Sequence, residues 1–451
     1  MIVYRTETDL AAAIAQAVDR QGGICWYVGG YVRDILLGID SKDIDMEVHG
    51  IQPDTLKKIL SEFGQVLTVG AAFGIYSIKG YSLDIALPRK ETARGTGHRD
   101  FDVFVDPFIG TEKAAMRRDF TVNALMQNML TGEICDHFGG TDDLHSKIIR
   151  HIDSTYFAED PLRVLRGALF AARLGFEIDG ETVSLCSHMK LDTLPKERVE
   201  AELYKALMQA DRPSVFFENL RKMNQLDFWF SELANVIGVP QNPVFHAEGD
   251  VWTHTMMVLD QAAKYRHKAK NPFGFMLAAL CHDFGKAVCT EISDGKIRSI
   301  GHETEGLVPA ESFLRRITSE TKLINYTLNL CALHMKPNAL AAMNAGVKST
   351  NRMFDLCTDP DALVCIAIAD NYGRIMQNGI TPHEDFLYKR LEIFNEIMAK
   401  PYVRGKDLID AGTEPDNKFG DYLEYAHKLR LAGVDKDSAL KQTLAYIRKK
   451  K

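Results

Sequence analysis

The sequence has 451 residues, of which 46% are hydrophobic and 25% charged, with a net charge of −7 and eight cysteines. This length and composition predict an ordinary globular protein of about three domains with ample core. The sequence lacks an apolar run of about 18 residues, a secretory signal and a C-x-x-C pair, so we expect a cytoplasmic protein with reduced cysteines and no membrane partner.

The N-terminal region predicts a helix followed by a strand that ends in two glycines. Apolar residues at helical spacing predict a helix over Thr8–Arg20, and the β-prone run Ile24–Val28 predicts a buried strand. Gly29 and Gly30 then lead into a second segment with helical spacing. Backbone N–H groups at such a turn bind an anion, such as a nucleotide phosphate, together with the helix N-terminus. Arg33, one turn into the helix, is predicted to reach the same anion.

The next predicted strand brings two carboxylates to one face. Asp43 and Asp45 lie two residues apart in Asp43–His49, and side chains at positions i and i+2 of a strand share a face. Paired carboxylates beside an anion-binding turn favour Mg²⁺-assisted phosphoryl or nucleotidyl transfer. Each feature alone is also compatible with an ordinary turn and a solvated strand face.

A helix and three short strands complete the predicted α+β region. The helix is predicted over Pro53–Phe63, and the strands over Val66–Val69, Gly74–Ile78 and Ser82–Leu87. Asp84 lies in the middle of the last strand, where it would complete a three-carboxylate metal site by facing the first pair. The alternative for this residue is a solvated aspartate near a strand end.

The motifs G-G-x-V-R-D, L-L-G and D-x-D occur in this order and at close spacing. They resemble the nucleotidyltransferase head of the bacterial tRNA CCA-adding enzyme and poly(A) polymerase family, the class II tRNA nucleotidyltransferases. The resemblance implies that Asp43, Asp45 and Asp84 are catalytic and that Asp43 and Asp45 hold Mg²⁺. It also implies that the partners are tRNA, CTP and ATP.

The segment RRDFTVNAL, Arg117 to Leu125, resembles the second motif of this family. Arg117 and Arg118 would bind triphosphate oxygens, because a planar guanidinium makes bidentate contacts. Asp119 and Asn123, four residues apart on a predicted helix, would hydrogen-bond the ribose hydroxyls of the nucleotide. On this segment alone, a helix-capping aspartate beside a solvated arginine pair is the alternative.

The segment FAEDPLRVLRGALFAARLGF predicts a long helical region with Asp160, Arg163 and Arg166 on one side. All three residues are predicted to bind the nucleotide. It resembles the family's E-D-x-x-R motif, whose aspartate and first arginine contact the Watson–Crick edge of the incoming base. Asp160 would accept from the amino group that C and A share, and Arg163 would donate to ring acceptors, which excludes U and G. The alternative is a salt bridge on a helix.

Three other segments are assigned supporting roles. Lys90–Asp106 is rich in Gly, Thr and Arg and predicts a mobile loop near the site. Asp136–Arg150 resembles a turn that joins head and neck in the family. Leu194–Leu207 resembles the fifth family motif, in which Glu197 and Arg198 are expected to stabilise the neck.

A second group of candidate residues follows the linker-like stretch VPQNP. Its members lie in or at the ends of apolar helical runs: His254, His282, Asp283, His302, His334 and Asp370. Buried ionisable side chains are rare unless they are paired or bind a metal. The series resembles a two-metal HD-type phosphohydrolase, with His302 and His334 as the additional ligands, and it implies a divalent transition metal or Mg²⁺. Lys286 lies near enough to meet a phosphate. The alternative is a purely structural HD domain.

Together these patterns predict an α+β nucleotidyltransferase head with a small mixed sheet, followed by an all-α neck and an all-α HD-type domain. The predicted boundaries are 1–150 for the head, 151–237 for the neck, 238–400 for the HD-type domain and 401–451 for a helical C-terminal element. The predicted function is template-independent addition of CCA to tRNA 3′ ends. CC-adding, A-adding and poly(A)-adding activities remain open, as does an HD phosphohydrolase with a nucleotide- or RNA-binding head, and so does the oligomeric state.

Overall fold

The computed structural model describes residues 4–40, 44–68, 74–93, 101–377 and 379–450. The chain forms two compact units. The first consists of Met1–Glu202 with Val215–Gln225, and the second of Leu203–Ser214 with Leu226–Lys451. Within the described residues, no helix is both long and apolar enough to cross a membrane.

The first unit contains a seven-stranded sheet, with strands β1 (Ile24–Val28), β2 (Ile44–His49), β3 (Val66–Thr68), β4 (Ile75–Ile78), β5 (Leu83–Ala86), β8 (Met126–Asn128) and β9 (Ile134–Cys135). The order of these strands across the sheet is β3-β4-β5-β2-β1-β8-β9. The pair of β2 and β5 is parallel, whereas the other neighbours in this sheet are antiparallel. The sheet is therefore mixed, with a parallel pair near its centre.

The two faces of β2 have different environments. Ile44, Met46 and Val48 are buried in a core with apolar residues of two helices, α1 (Glu7–Asp19) and α3 (Pro53–Ser61). Because side chains alternate along a strand, Asp45, Glu47 and His49 share the opposite face. The apolar packing on one face thus fixes which side chains point toward the candidate site.

The remaining elements up to residue 222 are mostly helical. The helices are α2 (Gly30–Leu36), α4 (Thr111–Met116), α5 (Gly140–Ser146), α6 (Ser154–Ala158), α7 (Leu162–Leu174), α8 (Gly180–Ser187), α9 (Lys196–Gln209) and α10 (Ser214–Lys222). Two small strand pairs accompany them: β6 (Arg89–Ala93) with β7 (Phe101–Val105), and β10 (Ile148–Ile149) with β11 (Glu177–Ile178).

The chain beyond residue 230 is largely helical. Its helices are α11 (Ser231–Ala234), α12 (Val251–Ala263), α13 (Pro272–Cys281), α14 (Lys286–Cys289), α15 (His302–Glu305), α16 (Leu307–Ile317), α17 (Thr321–Leu333), α18 (Met335–Ala342), α19 (Val347–Asp355), α20 (Pro360–Tyr372), α21 (Glu384–Ala399), α22 (Gly405–Asp410), α23 (Phe419–Leu431) and α24 (Lys436–Lys450). One hairpin, β12 (Glu291–Ser293) with β13 (Lys296–Arg298), interrupts the helices.

The predicted mixed-sheet head followed by helical regions is confirmed, and two local expectations are wrong. The strand β11 in the predicted neck and the hairpin β12–β13 in the predicted HD-type domain are small additions to otherwise helical regions. The described residues of the predicted loop Lys90–Asp106 instead form most of the paired strands β6 and β7, because a polar composition does not prevent backbone pairing, and residues 94–100 lie outside the described residues. The predicted helix around Asn123 is a short 3-10 turn, since Phe120 is extended, buried and paired with His151.

Candidate active site and candidate metal centre

Two predicted carboxylates lie side by side on the parallel strands of the head sheet. In the register of β2 and β5, Asp45 is the partner of Asp84. Side chains at paired positions of neighbouring strands lie on the same face, and both aspartates are exposed. Asp43, the third predicted carboxylate, lies outside the described residues. The described part of the site therefore brings two of the three acidic residues together.

These carboxylates line a cleft of about 520 Å³ in the first unit. Of the predicted site residues, the cleft walls contain Asp45, Asp84, Arg117, Arg118, Asp160 and Arg163. The walls also contain four charged residues that were not predicted as site residues: Glu47, Arg89, Glu159 and Arg198. Acidic and basic side chains thus line the same opening, a combination that suits a metal-complexed polyphosphate.

Arg118 lies beside the glycine turn. A Cβ atom added to Gly29 would lie 2.8 Å from Arg118 Nη1 and 3.6 Å from Asp45 Oδ2. Gly29 has a φ of 69°, in the left-handed region that favours glycine. Glycine at this position therefore leaves room for the Arg118 guanidinium next to the Asp45 carboxylate.

Glu47 is a buried carboxylate in the wall of this cleft. Its Oε1 atom lies 2.8 Å from His49 Nε2, and its Oε2 atom lies 3.6 Å from Arg118 Nη2. Burial opposes the charged form of Glu47, but the hydrogen bond with His49 and the charge of Arg118 outweigh it and lower its pKa. Glu47 is therefore ionised and paired with cationic or hydrogen-bonding groups.

Four other predicted nucleotide-binding residues, three of them buried, form a chain of hydrogen bonds. Arg33 Nη1 donates to Asn123 Oδ1 at 2.6 Å, and Asn123 Nδ2 donates to Asp119 Oδ1 at 2.9 Å. Arg166 Nε donates to Asp119 Oδ2 at 2.7 Å. Burial opposes the charged form of Asp119, but Arg166 and Asn123 outweigh it and lower its pKa. In this structure these four side chains bond to one another, and none of them lines the cleft; nucleotide contact by them stays a prediction.

Asp160 and Arg163 line the cleft, and the side chain of each is held by other residues. Arg198 donates to both carboxylate oxygens of Asp160, at 3.2 and 2.9 Å. Arg163 donates from Nη1 to the Tyr156 carbonyl and from Nη2 to the Arg117 carbonyl, both at 2.6 Å. Both predicted base-selecting side chains are thus held by fixed partners at the cleft wall.

The second unit brings all six predicted HD residues together. Two trios have ligand atoms within 4.8 Å of one another: His254, His282 and Asp370 in one, and Asp283, His302 and His334 in the other. All six side chains are buried. Asp283 connects the trios, since its Oδ2 atom lies 3.2 Å from His282 Nε2 and its Oδ1 atom lies 3.2 Å from His302 Nε2.

The histidines of these trios are oriented by backbone carbonyl groups. Nδ1 of His282, His302 and His334 lies 2.7 to 2.8 Å from the carbonyl oxygen three residues earlier in the chain. A carbonyl oxygen only accepts, so each Nδ1 carries a proton, and in the neutral imidazole each Nε2 presents a lone pair. The Nε2 atoms of His302 and His334 lie 3.3 Å apart. Facing lone pairs at this distance repel each other unless a cation lies between them, so these residues fit a metal ion.

The fourth histidine, His254, is oriented by a carboxylate. Its Nδ1 lies 3.2 Å from Glu248 Oε1 and 3.2 Å from the Gly373 carbonyl, while its Nε2 lies 3.2 Å from Asp370 Oδ1. The side chain of Glu248 is only 1% exposed, and Oε1 also lies 2.8 Å from His246 Nδ1. Burial opposes the charge on Glu248, but hydrogen bonds from His246 and His254 lower its pKa. Glu248 therefore favours the Nδ1–H tautomer of His254, in which the Nε2 atom that faces the trio carries a lone pair.

The residues that follow Asp283 also shape this centre. A Cβ atom on Gly285 would lie 2.1 Å from the His302 carbonyl oxygen, so only glycine permits α15 to approach closely enough to place His302. Lys286 is buried, and its Nζ lies 2.7 Å from Asp283 Oδ2 and 2.8 Å from Gln241 Oε1. Lys286 and His302 also line a cleft of about 410 Å³ that opens to solvent.

Comparison with known proteins identifies the family of the chain. A family model of the Poly A polymerase head domain matches residues 25–150. A Multifunctional CCA protein of Acinetobacter baylyi is 33% identical over 422 residues, which cover 88% of this chain and 98% of that protein. Another Multifunctional CCA protein, of Actinobacillus pleuropneumoniae serotype 5b, is 37% identical over 325 residues, covering 70% of this chain and 77% of that protein.

The chain belongs to the CCA-adding tRNA nucleotidyltransferase family.

Solved structures of CCA-adding enzymes agree with this assignment at the level of the fold. The Thermotoga maritima CCA-adding enzyme complexed with tRNA has a TM-score of 0.65 at 20% identity, covering 97% of this chain and 95% of that chain. The Bacillus stearothermophilus CCA-adding enzyme in complex with CTP has a TM-score of 0.64 at 20% identity, covering 98% and 97%. Nucleotidyltransferases of this kind generally use a divalent metal, and the paired carboxylates of Asp45 and Asp84 fit such an ion.

Three residues of this CCA-adding family member were missed or assigned differently from sequence. Glu47 was not considered, although it continues the alternation of Asp43 and Asp45 on one strand face. Arg198 was assigned only to the neck, whereas its guanidinium lies in the cleft on Asp160. Glu248 has no sequence motif, and the signal available was an acidic residue shortly before the first histidine helix.

Proposed function

We propose that this chain adds C, C and A to the 3′ ends of tRNA, using CTP and ATP as substrates and Mg²⁺ as the cofactor, in the cytoplasm. The observation that carries the proposal is the in-register pair Asp45 and Asp84 in a cleft that also contains Arg117 and Arg118. The similarity to Multifunctional CCA proteins over most of the chain supports the same activity. In this assignment residues 1–150 form the catalytic head, 151–237 the neck, 238–400 the HD-type domain and 401–451 a C-terminal helical element.

The reaction joins the tRNA 3′-oxygen to the α-phosphorus of the nucleotide and releases pyrophosphate. Asp43, Asp45 and Asp84 would hold the metal, which supplies activation of the 3′-hydroxyl and neutralisation of charge on the leaving pyrophosphate. Arg117 and Arg118 bind the triphosphate oxygens and align the α-phosphorus with the hydroxyl. The two arginines thus contribute positioning and charge stabilisation without changing their own protonation.

Base selection is assigned to Asp160 and Arg163. A carboxylate has about four lone-pair sites, so Asp160 can accept from the amino group of C or A while Arg198 continues to hold it. Arg163 donates to two backbone carbonyls from its terminal nitrogens, which fixes its guanidinium plane at the cleft wall. Donors and acceptors fixed in this way match the hydrogen-bonding edges of C and A. The edges of U and G present the opposite pattern and do not match them.

The test uses three tRNA transcripts, ending before CCA, after the first C, and after CC. Each is incubated with labelled CTP, ATP or both, and products are separated at single-nucleotide resolution. Completion of CCA on all three supports the proposal. Additions confined to CC or to the final A, or long A tails, would move the chain to one of those narrower activities. The variant Asp45→Ala should abolish incorporation.

We also propose that the second unit hydrolyses phosphate esters, such as phosphomonoester or cyclic phosphodiester ends, using a divalent transition metal or Mg²⁺. The observation that favours it is the inward orientation of three histidine Nε2 atoms fixed by backbone carbonyls. His254, His282, Asp283, His302, His334 and Asp370 would hold the metal, which supplies water activation and polarisation of the phosphate. Lys286, beside Asp283, can contact a phosphate oxygen. The variants His282→Ala and Asp283→Ala should abolish hydrolysis and leave nucleotide incorporation intact.

A further inference from the structure

Glu47 occupies an unusual position for a carboxylate in the head. It follows Asp45 by two residues on β2 and lies on the same strand face, yet its side chain is only 12% exposed, whereas Asp45 is exposed. A buried carboxylate needs partners that compensate for the loss of water. Its two oxygens meet different partners, His49 on one side and Arg118 on the other. Both oxygens are thus directed at neighbouring side chains of the first unit.

The Arg118 guanidinium is held by two contacts, and a third residue leaves space for it. Glu47 Oε2 lies 3.6 Å from its Nη2, and the Asn123 carbonyl accepts a hydrogen bond from its Nη1 at 3.4 Å. Gly29 leaves space for the same Nη1, which would be only 2.8 Å from a Cβ atom at that position. These contacts place the guanidinium over the glycine turn and beside the Asp45 carboxylate.

The neighbours of Glu47 on the sheet differ from those expected of a metal ligand. Asp45 and Asp84 are paired in the strand register and exposed to the cleft, whereas Glu47 is paired in register with Ala86 on β5 and with Trp26 on β1. His49, on the same face, contacts Oε1 of this carboxylate, whereas Arg118 lies near Oε2. Glu47 is therefore placed to bind the Arg118 guanidinium. Because Glu47 lies on a rigid strand, it can also fix the orientation of that guanidinium.

We infer that Glu47, held by His49, is a positioning residue that orients Arg118 to bind the triphosphate of the incoming nucleotide. The inference rests on the proposed nucleotidyl transfer in the head and adds a residue outside the D-x-D pair to it. Because the triphosphate is common to CTP and ATP, the effect of Glu47 is the same for both nucleotides. It is also absent for a nucleoside monophosphate, which lacks the β- and γ-phosphates.

The test compares Glu47→Gln with the wild-type full-length chain. Glutamine keeps the shape of the side chain but removes the charge that pairs with Arg118. We expect the KM for CTP and for ATP to rise by about tenfold each, in line with the loss of one charged interaction. The KM for tRNA should stay within about twofold. In calorimetric titrations, binding of CTP should weaken to the same extent while binding of CMP is unchanged.

Two further variants separate positioning from a general structural role. In an Arg118→Met background, Glu47→Gln should add no further increase in KM, because a residue that acts only through Arg118 is silent without it. Glu112→Gln, an exposed glutamate on α4 of the same unit, should match the wild type and control for the loss of one negative charge. His49→Gln, which removes the second partner of Glu47, should raise the KM in the same direction and replaces Glu47→Gln as the test if that variant fails to fold.

Three outcomes would overturn the inference. A KM for nucleotides unchanged in Glu47→Gln would mean that Arg118 needs no such partner. A fall in kcat that is rescued by raising Mg²⁺ would make Glu47 a metal ligand. Additive effects with Arg118→Met would mean that Glu47 acts through another group, either Arg89 in the same cleft or the fold itself. Wild-type protein that fails to incorporate nucleotides would instead defeat the proposed function, so the two failures are distinguishable.

Discussion

Arg198 and Asp160 form a two-pronged ion pair in the head cleft, with N–O distances of 3.2 and 2.9 Å. Asp160 also accepts a hydrogen bond from the Leu162 N–H at the start of α7, so its carboxylate is fixed by both side-chain and backbone donors. A carboxylate that reads a base must keep one orientation. Because Arg198 fixes the orientation of Asp160, Arg198 also affects which base is selected.

Arg198→Met is therefore expected to weaken base selection. The pair is about one-third exposed, so solvent screening limits its strength, and we expect kcat/KM for CTP and ATP to fall by about tenfold. Incorporation of UTP and GTP relative to CTP should increase, as measured in competition assays. Arg212→Met, which removes an exposed arginine from its pair with Asp260, serves as the control. Unchanged selectivity in Arg198→Met would assign this pair to neck stability alone.

Asp84→Asn is expected to lower kcat with little effect on the fold. The amide keeps the size of the side chain at a strand position that is already exposed, but it removes a negative charge from the predicted metal site. Loss of a metal-binding carboxylate costs several kcal/mol of transition-state stabilisation, so kcat for nucleotide incorporation should fall about 100-fold or more. Glu62→Gln, an exposed residue after α3, should leave kcat unchanged. Retention of kcat in Asp84→Asn would remove it from the catalytic set.

Glu248→Gln is expected to weaken metal binding in the second unit. The variant removes the carboxylate that favours the Nδ1–H tautomer of His254, and loss of such an outer partner typically reduces metal affinity or activity about 10- to 100-fold. The optical spectrum and affinity of a bound Co²⁺ ion would measure the change directly. Glu311→Gln on the exposed face of α16 is the matched control. Equal Co²⁺ affinity in Glu248→Gln and wild type would contradict this role.

The metal-free protein should lose stability on acidification. Burial, together with the charge of His282, lowers the pKa of His334 from 6.5 to about 3, so the unfolded chain binds a proton at a higher pH than the native one does. The resulting stabilisation is complete above pH 6.5 and is lost progressively as the pH falls toward 3. The raised pKa of His302 acts in the opposite direction, and its contribution is lost as the pH rises above its native value.

Urea unfolding of the chelated protein at several pH values measures this balance. We expect the unfolding free energy of the wild type to fall by on the order of 2 kcal/mol between pH 7 and 4.5 from His334 alone. His334→Asn removes this titrating group and should show a correspondingly smaller decrease. An identical decrease in the variant and the wild type would show that other groups determine the acid sensitivity.

The sequence predicted the parts of the head that depend on short-range patterns. The glycine turn, the strand with Asp45 and the mid-strand position of Asp84 all follow from local alternation and spacing, and the structure places the two aspartates in register. The pairing of Arg33 with Asn123 spans 90 residues and has no local signature. A motif that marks a residue as important does not reveal whether its side chain faces the ligand or a buried partner.

The same limit applies to the second unit. His282 and Asp283 were identified because an ionisable pair at the end of an apolar helix is costly without compensation. Glu248 comes from an irregular segment before α12, and only the folded chain brings it to His254. Sequence patterns therefore identified the ligand candidates, whereas the groups that orient them required the tertiary structure.

The hydrogen bond from a histidine Nδ1–H to the carbonyl three residues earlier has a consequence for metal loading of the second unit. The orientation of His282 is encoded within the last turn of α13, and that of His334 within the last turn of α17. These two imidazoles are therefore oriented by contacts within their own helices, whereas His254 depends on Glu248 from the irregular segment before α12. Loading of the ion then becomes a question of entry through the surrounding protein, and the rate of uptake should follow the opening of that path rather than the refolding of the site.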